Sequence, residues 1–296
     1  MCKWISAVIA SGMLQCVRGF FATRGAVVGA GLVGVLVVVA LLSPWLARDA
    51  TTLDVEHGLT ERGAPLGLTE HPPLGTDPLG RDVWERVAAG AATSLAVAGA
   101  ATALALLLGL AIGLVAGYAG GLADSLLMRF VDLVLAFPAL LLAILLASLL
   151  RESGLAGGSA PVVLTLALVG WTMPARVIRG RARMLARGEM VTAARAVGAS
   201  ALRIVVRHVL PNLAGITIAV ALIAFAENLA AEAVLSFLGL GPPPPAPTWG
   251  RMFYEGRLYY RTAPHLVLAP GLAILAAVAG FHLLGEALDA RLGRRA

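Results

Sequence analysis

The chain has 296 residues, of which 59% are apolar and only 14% are charged. Soluble domains do not carry so much apolar surface, so the composition indicates a polytopic membrane protein and excludes the soluble classes. The formal net charge of +6 comes from arginines grouped between apolar runs, and few aromatic residues are present to stack on bases. The sequence therefore predicts a lipid bilayer as the surroundings of the chain and no nucleic-acid partner.

Residues 1–24 are mixed in character and precede the first long apolar run. A cleaved signal peptide would fit the mostly apolar residues 4–14, but no small-x-small cleavage site precedes a soluble domain, and another apolar run follows at once. We therefore interpret 1–24 as a cytoplasmic or interfacial lead-in. The two cysteines, Cys2 and Cys16, both fall in it and are too few for a disulfide framework.

Six apolar segments follow, each long enough for the roughly 20 residues that a helix needs to cross a bilayer. They lie at about 25–46, 90–117, 126–150, 161–178, 212–238 and 265–287. The fold class is therefore all-α, with six transmembrane helices. In the second segment Gly109, Gly113 and Gly117 are spaced four apart, which lets two helix backbones approach closely. In the third, Phe137 and Pro138 predict a helix kink, with a hinge at a gate as the less favoured interpretation.

The distribution of basic residues predicts the orientation of these helices. With the N-terminus inside, 15 of the 23 lysines and arginines lie in inside segments and 8 lie outside. Because positive residues concentrate on the cytoplasmic side, both termini are predicted to be cytoplasmic. The outside segments then include a polar loop at 48–89 and a proline-rich stretch at 236–257, which is expected to form a rigid cap.

The stretch at 188–212 is a basic, amphipathic island between two spans, on the side predicted to be cytoplasmic. Its apolar residues recur at helical spacing in two runs, which predicts one apolar face. Gly198 falls between the runs, where a helix ends in a left-handed residue. Ser200 follows as a cap, and Pro211 marks the first turn of the next span. We therefore predict two short helices joined by a sharp turn at the membrane face.

This island resembles the cytoplasmic coupling loop, or EAA loop, of bacterial ABC-importer permeases. In that family a Glu-Ala-Ala triplet precedes a glycine, and a Leu-Pro pair follows. The residues at those positions here are Ala193, Ala194, Gly198, Leu210 and Pro211. Thr192 stands at the position of the glutamate, and Glu189, about one helical turn earlier, could supply a carboxylate nearby. The resemblance implies that the loop docks onto a separate ATPase.

Further stretches resemble the dipeptide/oligopeptide/nickel branch of these permeases. They are GTDPLGRDV, MRFVDLVLAFPALLLA, TAARAVGAS, RHVLPN, LSFLGLG and PTWGRM, in the family's order. The resemblance implies the type I ABC-importer permease fold in a bacterial cytoplasmic (inner) membrane. It also implies three kinds of partner: a homologous permease subunit that forms a heterodimer with this chain, two cytoplasmic ATPase subunits and an extracytoplasmic solute-binding protein.

The apolar runs and the predicted sidedness divide the chain into five segments. They are the lead-in at 1–24, the first transmembrane helix at 25–47, an extracytoplasmic loop at 48–89, the permease core at 90–290 with its coupling loop at 180–212, and a cytoplasmic tail at 291–296. Di- or oligopeptides are the first expectation for the substrate. Nickel or another small solute is the alternative, and a stand-alone secondary transporter or channel is a weaker one.

The sequence contains no recognisable catalytic machinery. Lys3 is the only lysine, so the chain has no Walker A lysine, and any ATP hydrolysis belongs to other polypeptides. The five histidines are dispersed without metal-ligand spacing. We therefore expect a subunit that is not an enzyme and has no catalytic residue, metal site or cofactor of its own. ATP and Mg²⁺ would be bound by the partner ATPases.

Three acidic residues, Asp132, Glu227 and Glu232, fall within or near the predicted spans. An aspartate at a helix centre costs about 2.5–3.5 kcal/mol on insertion scales, so such groups face protein or water. Together with Pro138 they are candidates for lining the translocation path or the interface with the partner permease. The alternative for the acidic residues is a charge at a helix end or an interhelical hydrogen bond.

Overall fold

The computed structural model describes residues 23–71, 73–154 and 157–293, and this part of the chain is largely helical. Its helices, in chain order, are α1 (Arg24–Leu46), α2 (Val83–Ala119), α3 (Gly121–Leu135), α4 (Ala139–Glu152), α5 (Ala160–Gly170), α6 (Thr172–Ala186), α7 (Glu189–Ala196), α8 (Ala201–Ile204), α9 (Leu210–Phe237), α10 (Trp249–Gly256) and α11 (His265–Gly293). Most of the lead-in and half of the tail expected from the sequence lie outside the described residues.

Four continuous stretches and two bent helix pairs account for the six spans. The stretches α1, α2, α11 and the run from Ala201 to Phe237 are each long and apolar enough to cross a membrane. The pairs α3–α4 and α5–α6 meet this requirement only together, with bends of 87° and 41°. Six crossings result if each pair is one span, so the all-α membrane fold predicted from the sequence is confirmed.

The kink expected at Phe137 and Pro138 is a full break, so the expectation of one kinked helix over 126–150 is wrong. Helix α3 ends at Leu135 and α4 leaves at 87° to it. Pro138 has no N–H, and its ring excludes a helical carbonyl four residues earlier. It therefore stands just before α4, where its carbonyl accepts a hydrogen bond from the N–H of Leu142 (3.1 Å).

A second proline accompanies the bend between α5 and α6. Pro174 lies in the first turn of α6, where its missing N–H does least harm. Helix α6 then runs to Ala186, eight residues beyond the end expected for the fourth span at 178. These extra two turns carry a row of arginines away from the apolar part of the span.

Helix α2 also exceeds its expected length, because it begins at Val83, inside the segment interpreted as a loop. The side chain of Asp82 caps it by accepting a hydrogen bond from the N–H of Glu85 (2.9 Å). The end of the segment interpreted as a loop is therefore the first turn of the second span.

Close backbone packing joins α2 to α6. A Cβ atom on Gly113 would lie 2.5 Å from the carbonyl oxygen of Ala175, and one on Gly117 would lie 2.5 Å from that of Arg179. Only glycine fits such a contact, so the close approach predicted from the spacing of the glycines is confirmed. Helices α9 and α11 pack on other sides of α2, and α1 packs on both α2 and α11. The packed pair α2–α6 contributes residues to each of the candidate sites described below.

Candidate functional site

The segment at 188–212 forms the two short helices that the sequence predicts, α7 and α8, with Gly198 between them. Gly198 has φ of +79°, a left-handed conformation that costs other L-residues about 1–2 kcal/mol. The N–H of Ala199 donates back to the carbonyl of Ala194 (3.0 Å), which closes the end of α7. The side-chain oxygen of Ser200 caps α8, as predicted. The sharp turn is therefore fixed by backbone geometry.

One face of this segment is buried against the spanning helices. The buried side chains are Val191, Ala194, Ile204 and Val209, and they pack with Ile178 and Ala182 of α6. Arg195 also reaches back over the ring of Tyr118 near the end of α2, 5.4 Å from its centroid. The segment is therefore in direct contact with both α2 and α6.

The opposite face is exposed and partly apolar. Val197 is 85% exposed and Leu202 is 74% exposed. Ala193 is exposed too, whereas Ala194 beside it is buried. Glu189 and Thr192 are exposed one turn apart on α7. The apolar residues thus serve two faces, one internal and one external, which corrects the expectation of a single apolar face.

Pro211 lies in the first turn of α9, as predicted, but α9 does not start apart from the helix before it. A π-helical turn, Val205–Val209, joins α8 to α9, so that one helical stretch runs from Ala201 to Phe237. The N–H of Leu210 donates to the carbonyl of Val205, five residues earlier. Because proline cannot accommodate a helical carbonyl four residues before it, the wider turn lets the helix continue past Pro211. The 188–212 segment is thereby continuous with the fifth span.

A cavity of about 350 Å³ lies where both bent helix pairs change direction. Its walls come from the ends of α3 to α6 and from the middle of α9. Most of the lining is apolar and includes Phe137, Leu140, Leu166 and Met173. Among the described residues that line it, Glu227 is the one ionisable side chain. We refer to this space as the mid-span cavity.

Two neighbouring polar residues of α9 line the mid-span cavity. Asn228 is buried, and its amide nitrogen donates to the hydroxyl of Thr102 on α2 (3.0 Å). Gly170 gives it room, because a Cβ there would lie 3.1 Å from the amide oxygen Oδ1. Glu227 is exposed within an apolar span, where contact with lipid would be costly. Its carboxylate is therefore positioned to face water or another protein.

The sequence suggests a common role in the translocation path for four residues, but the structure places them apart. They are Asp132, Pro138, Glu227 and Glu232. Pro138 stands at the helix break beside the mid-span cavity, between lining residues. Glu232 does not line this cavity: it is fully buried, and its carboxylate accepts a hydrogen bond from the hydroxyl of Ser236 (2.6 Å), one turn later. Among these candidates, only Glu227 and the break at Pro138 are brought together.

Asp132, the fourth of these residues, lies in a charged cleft between α3 and α6. It pairs there with Arg176. Two turns earlier, Asp124 accepts two hydrogen bonds from Arg179 (2.5 and 2.7 Å) and lies 3.4 Å from Arg183. The sequence reasoning missed Asp124, although a signal existed. Two acidic residues eight apart on one helix match arginines spaced three and four apart on the next.

A second charge network ties the loop before α2 to α10. Asp77 accepts hydrogen bonds from Arg81 (2.6 Å) and from Arg86, and both arginines donate to Glu255 on α10 (3.0 and 2.9 Å). Burial disfavours the charged form of Glu255. The arginine charges and hydrogen bonds outweigh this effect and hold the pKa of its carboxyl below the usual value. The loop is thus fixed to the end of the proline-rich stretch, and no local sequence signal marks Glu255 as the partner.

A family model and two related proteins all match this chain as a membrane component of a transport system. The family model described as "Binding-protein-dependent transport system inner membrane component" matches residues 109–295. A putative peptide transport system permease protein of Brucella suis biovar 1 is 37% identical over 281 residues, which is 94% of this chain and 90% of that protein. The glutathione transport system permease protein GsiD of Shigella flexneri serotype 5b is 38% identical over 92% of this chain and 86% of its own length.

A solved structure is similar in fold. The MetNI methionine ABC transporter in an inward-facing conformation aligns with a TM-score of 0.56 and 18% sequence identity. The alignment covers 71% of this chain and 96% of that chain. At this identity the likeness concerns the fold alone, and it agrees with the importer-permease fold expected from the sequence.

Proposed function

The chain belongs to the binding-protein-dependent transport system inner membrane components, and from this premise we propose that it is the permease subunit of an ATP-driven importer of small peptides. As a member of the family it is a multi-pass protein of a bacterial inner membrane. Relatives named for the transport of peptides and of glutathione, which is itself a tripeptide, support the substrate class. The chain forms half of the translocation path and a homologous permease forms the other half.

The main support for the coupling role is the exposed, partly apolar external face of the 188–212 segment. Val197 and Leu202 stand out from a turn whose internal face is anchored to α6. Exposed apolar side chains on a short helix suit docking into a groove of a partner. Exposed arginines around them, Arg187, Arg203 and Arg207, suit an acidic rim to that groove. The occupant of this face is a cytoplasmic ATPase subunit, one for each permease, and ATP and Mg²⁺ bind there, with no cofactor on this chain.

The anchoring of the segment explains how ATP binding moves the path. When the two ATPases close, each docked segment is displaced with its partner. The displacement passes through Ile178 and Ala182 into α6, and through the continuous helix into α9. Both helices line the mid-span cavity, so the same movement opens or closes it. Such a bundle needs two alternative packings, biased by the nucleotide state of the ATPases.

The remaining partners follow from the predicted sidedness. A solute-binding protein delivers the substrate at the face formed by the loop before α2 and the proline-rich stretch. That face is braced by the network of Asp77, Arg86 and Glu255, which gives the binding protein a fixed platform. The homologous permease covers the open side of the mid-span cavity.

Substitution of Gly198 tests the coupling role. Gly198→Val cannot adopt the left-handed conformation without strain, whereas Gly198→Asn tolerates it, and Gly180→Ala adds a Cβ into open space on α6. We expect Gly198→Val to insert normally in the membrane but to lose both capture of the ATPase subunit and ATP-driven peptide uptake. Gly198→Asn and Gly180→Ala should retain both. Normal uptake by Gly198→Val would refute the role of this turn.

The same assay separates the proposed substrate from its alternatives. Proteoliposomes that contain the whole complex are supplied with the binding protein and with radiolabelled tripeptide, glutathione or Ni²⁺ in turn. ATP-dependent uptake of the tripeptide is the expected result. Uptake of Ni²⁺ alone would assign the chain to a metal importer, and uptake without ATP or partner subunits would make it a stand-alone transporter.

A further inference from the structure

The two polar residues of α9 in the mid-span cavity both offer oxygen atoms that accept hydrogen bonds, and Glu227 also carries a negative charge when ionised. Glu227 supplies a carboxylate, which in its ionised form accepts hydrogen bonds and donates none. The amide nitrogen of Asn228 donates to Thr102 (3.0 Å), and its amide oxygen is the atom nearer to Gly170, which also lines the cavity. The two residues are consecutive on α9 and both line the cavity. A ligand that satisfies both must donate hydrogen bonds and carry positive charge.

The size and the remaining walls of the cavity restrict this ligand further. The volume of about 350 Å³ is that of a small-molecule site, before any contribution from a partner permease. The walls around the two polar residues are apolar, with Phe137, Leu140 and Met173 among them. A primary ammonium group attached to a body with apolar side chains fits this arrangement. A bare metal ion does not, because a single described carboxylate and one amide oxygen offer too few oxygen ligands.

We propose that Glu227, with the amide oxygen of Asn228, forms a subsite for the α-ammonium group of a peptide that crosses the membrane. This inference deepens the proposed import of peptides and depends on it. Glu227 selects for a free amino terminus inside the path, independently of the selection made by the binding protein. Asn228 is held in place by Thr102 so that the ammonium group meets an oriented oxygen as well as a charge.

Charge-selective labelling next to Glu227 tests the subsite without a transport assay. Ala231 lines the cavity one helical turn after Glu227, so Ala231→Cys places a thiol beside the carboxylate. The whole complex, with Cys2 and Cys16 replaced by serine, is treated with a cationic trimethylammonium-ethyl or an anionic sulfonatoethyl methanethiosulfonate. We expect the cationic reagent to be favoured, and Glu227→Gln to reduce the ratio of the two rates about tenfold. Glu227→Asp, which keeps the charge, should retain most of the preference.

Protection of the same thiol identifies the ligand group. A tripeptide amide keeps the ammonium group and lacks the carboxylate, whereas the N-acetyl tripeptide has no ammonium group. We expect the amide to slow labelling and the acetylated peptide to have no effect. Protection by putrescine but not by the tripeptide amide would overturn the assignment to peptides. Equal labelling by both reagents, or no labelling by either, would overturn the subsite itself.

Uptake measurements separate a failure of the subsite from a failure of the proposed function. In proteoliposomes with partner subunits and binding protein, Glu227→Gln should lower kcat for the tripeptide about tenfold and leave KM unchanged, because the binding protein sets KM. If the unsubstituted complex takes up peptide and Glu227→Gln equals it, the subsite is refuted and peptide import stands. If the unsubstituted complex takes up no peptide, the proposed function fails first.

Discussion

The two charged regions of the bundle differ in how deeply their ion pairs are buried. In the network before α2, the side chains of Asp77 and Arg86 are only 3% and 4% exposed. In the cleft between α3 and α6, Asp132 is 61% exposed and Arg176 is 44% exposed. Loss of one partner from a buried pair costs several kcal/mol, whereas an exposed pair contributes about 1 kcal/mol or less. The first region is therefore a fixed brace, and the Asp132–Arg176 end of the cleft is a contact that can rearrange when α6 moves in the proposed cycle.

The largest effect is expected from removing the central arginine of the brace. Arg86→Met leaves both Asp77 and Glu255 without one of their donors in a nearly dry site, and we expect a loss of about 3–5 kcal/mol in the free energy of unfolding. Thermal unfolding of the purified complex in lipid nanodiscs, followed by tryptophan fluorescence, measures it.

Arg62, an exposed arginine in the same loop, provides the matched control. Arg62→Met removes the same charge and should leave the unfolding transition unchanged. If Arg86→Met and Arg62→Met are equally stable, the network is not a brace and the contrast between the two regions disappears.

A smaller effect is expected at the buried end of the cleft. Asp124→Asn keeps the shape of the side chain but removes the charge that receives two hydrogen bonds from Arg179, and we expect a loss of about 1.5–3 kcal/mol. The same unfolding measurement applies. A loss as large as that of Arg86→Met would show that the cleft is as fixed as the brace.

Acid should weaken the brace only at a pH below the range in which ordinary carboxyl groups are protonated. The pKa of Glu255 is lower in the folded protein than in the unfolded chain, so its contribution to stability is fully present above the ordinary value near 4.3. It is lost as the pH falls through the lower, folded pKa. We expect the midpoint temperature of unfolding to decrease when the pH is lowered below about 4. The decrease should be smaller in Glu255→Gln, and the difference between the two proteins should be smaller than the effect of Asp124→Asn. Identical pH profiles for the two proteins would contradict this assignment.

The smallest change in stability is expected at the exposed end of the cleft. Asp132→Asn should alter the free energy of unfolding by about 1 kcal/mol or less, and added salt should reduce the difference further. Because the pair joins α6, which moves in the proposed cycle, to α3, the rate of ATP-driven uptake should change more than the stability. A large loss of stability with unchanged uptake would make the pair structural.

Much of the 188–212 segment was predictable because its signals are local. A left-handed glycine, a serine cap and two short periodic runs each act within one or two helical turns, and Gly198 and Ser200 behave as predicted. The division of its apolar residues was not predictable. Helical spacing gives the same pattern for Val191, which is buried against α6, and for Val197, which is exposed. Only the position of α6 decides between them.

Three prolines also show what local sequence signals leave undetermined. Pro138, Pro174 and Pro211 each lack an N–H and so disturb the helical hydrogen bonding near them. At Pro138 the helix breaks by 87°, at Pro174 the pair bends by 41°, and at Pro211 a π turn carries the helix past it. The local disturbance is common to all three, and the packing of neighbouring helices sets its size.

The sequence by itself determined the class of the protein, its apolar spans, the close approach of another helix to α2 and the turn at Gly198. These features depend on composition and on neighbours within a few residues, so they can be predicted from the amino-acid sequence. The tertiary structure alone decided which charges meet, because Arg86 and Glu255 are 169 residues apart, and Asp124 and Arg179 are 55 apart. It also decided that Glu227 lines a cavity while Glu232, five residues later, is buried. Whether a helix face is buried depends on which elements pack against it.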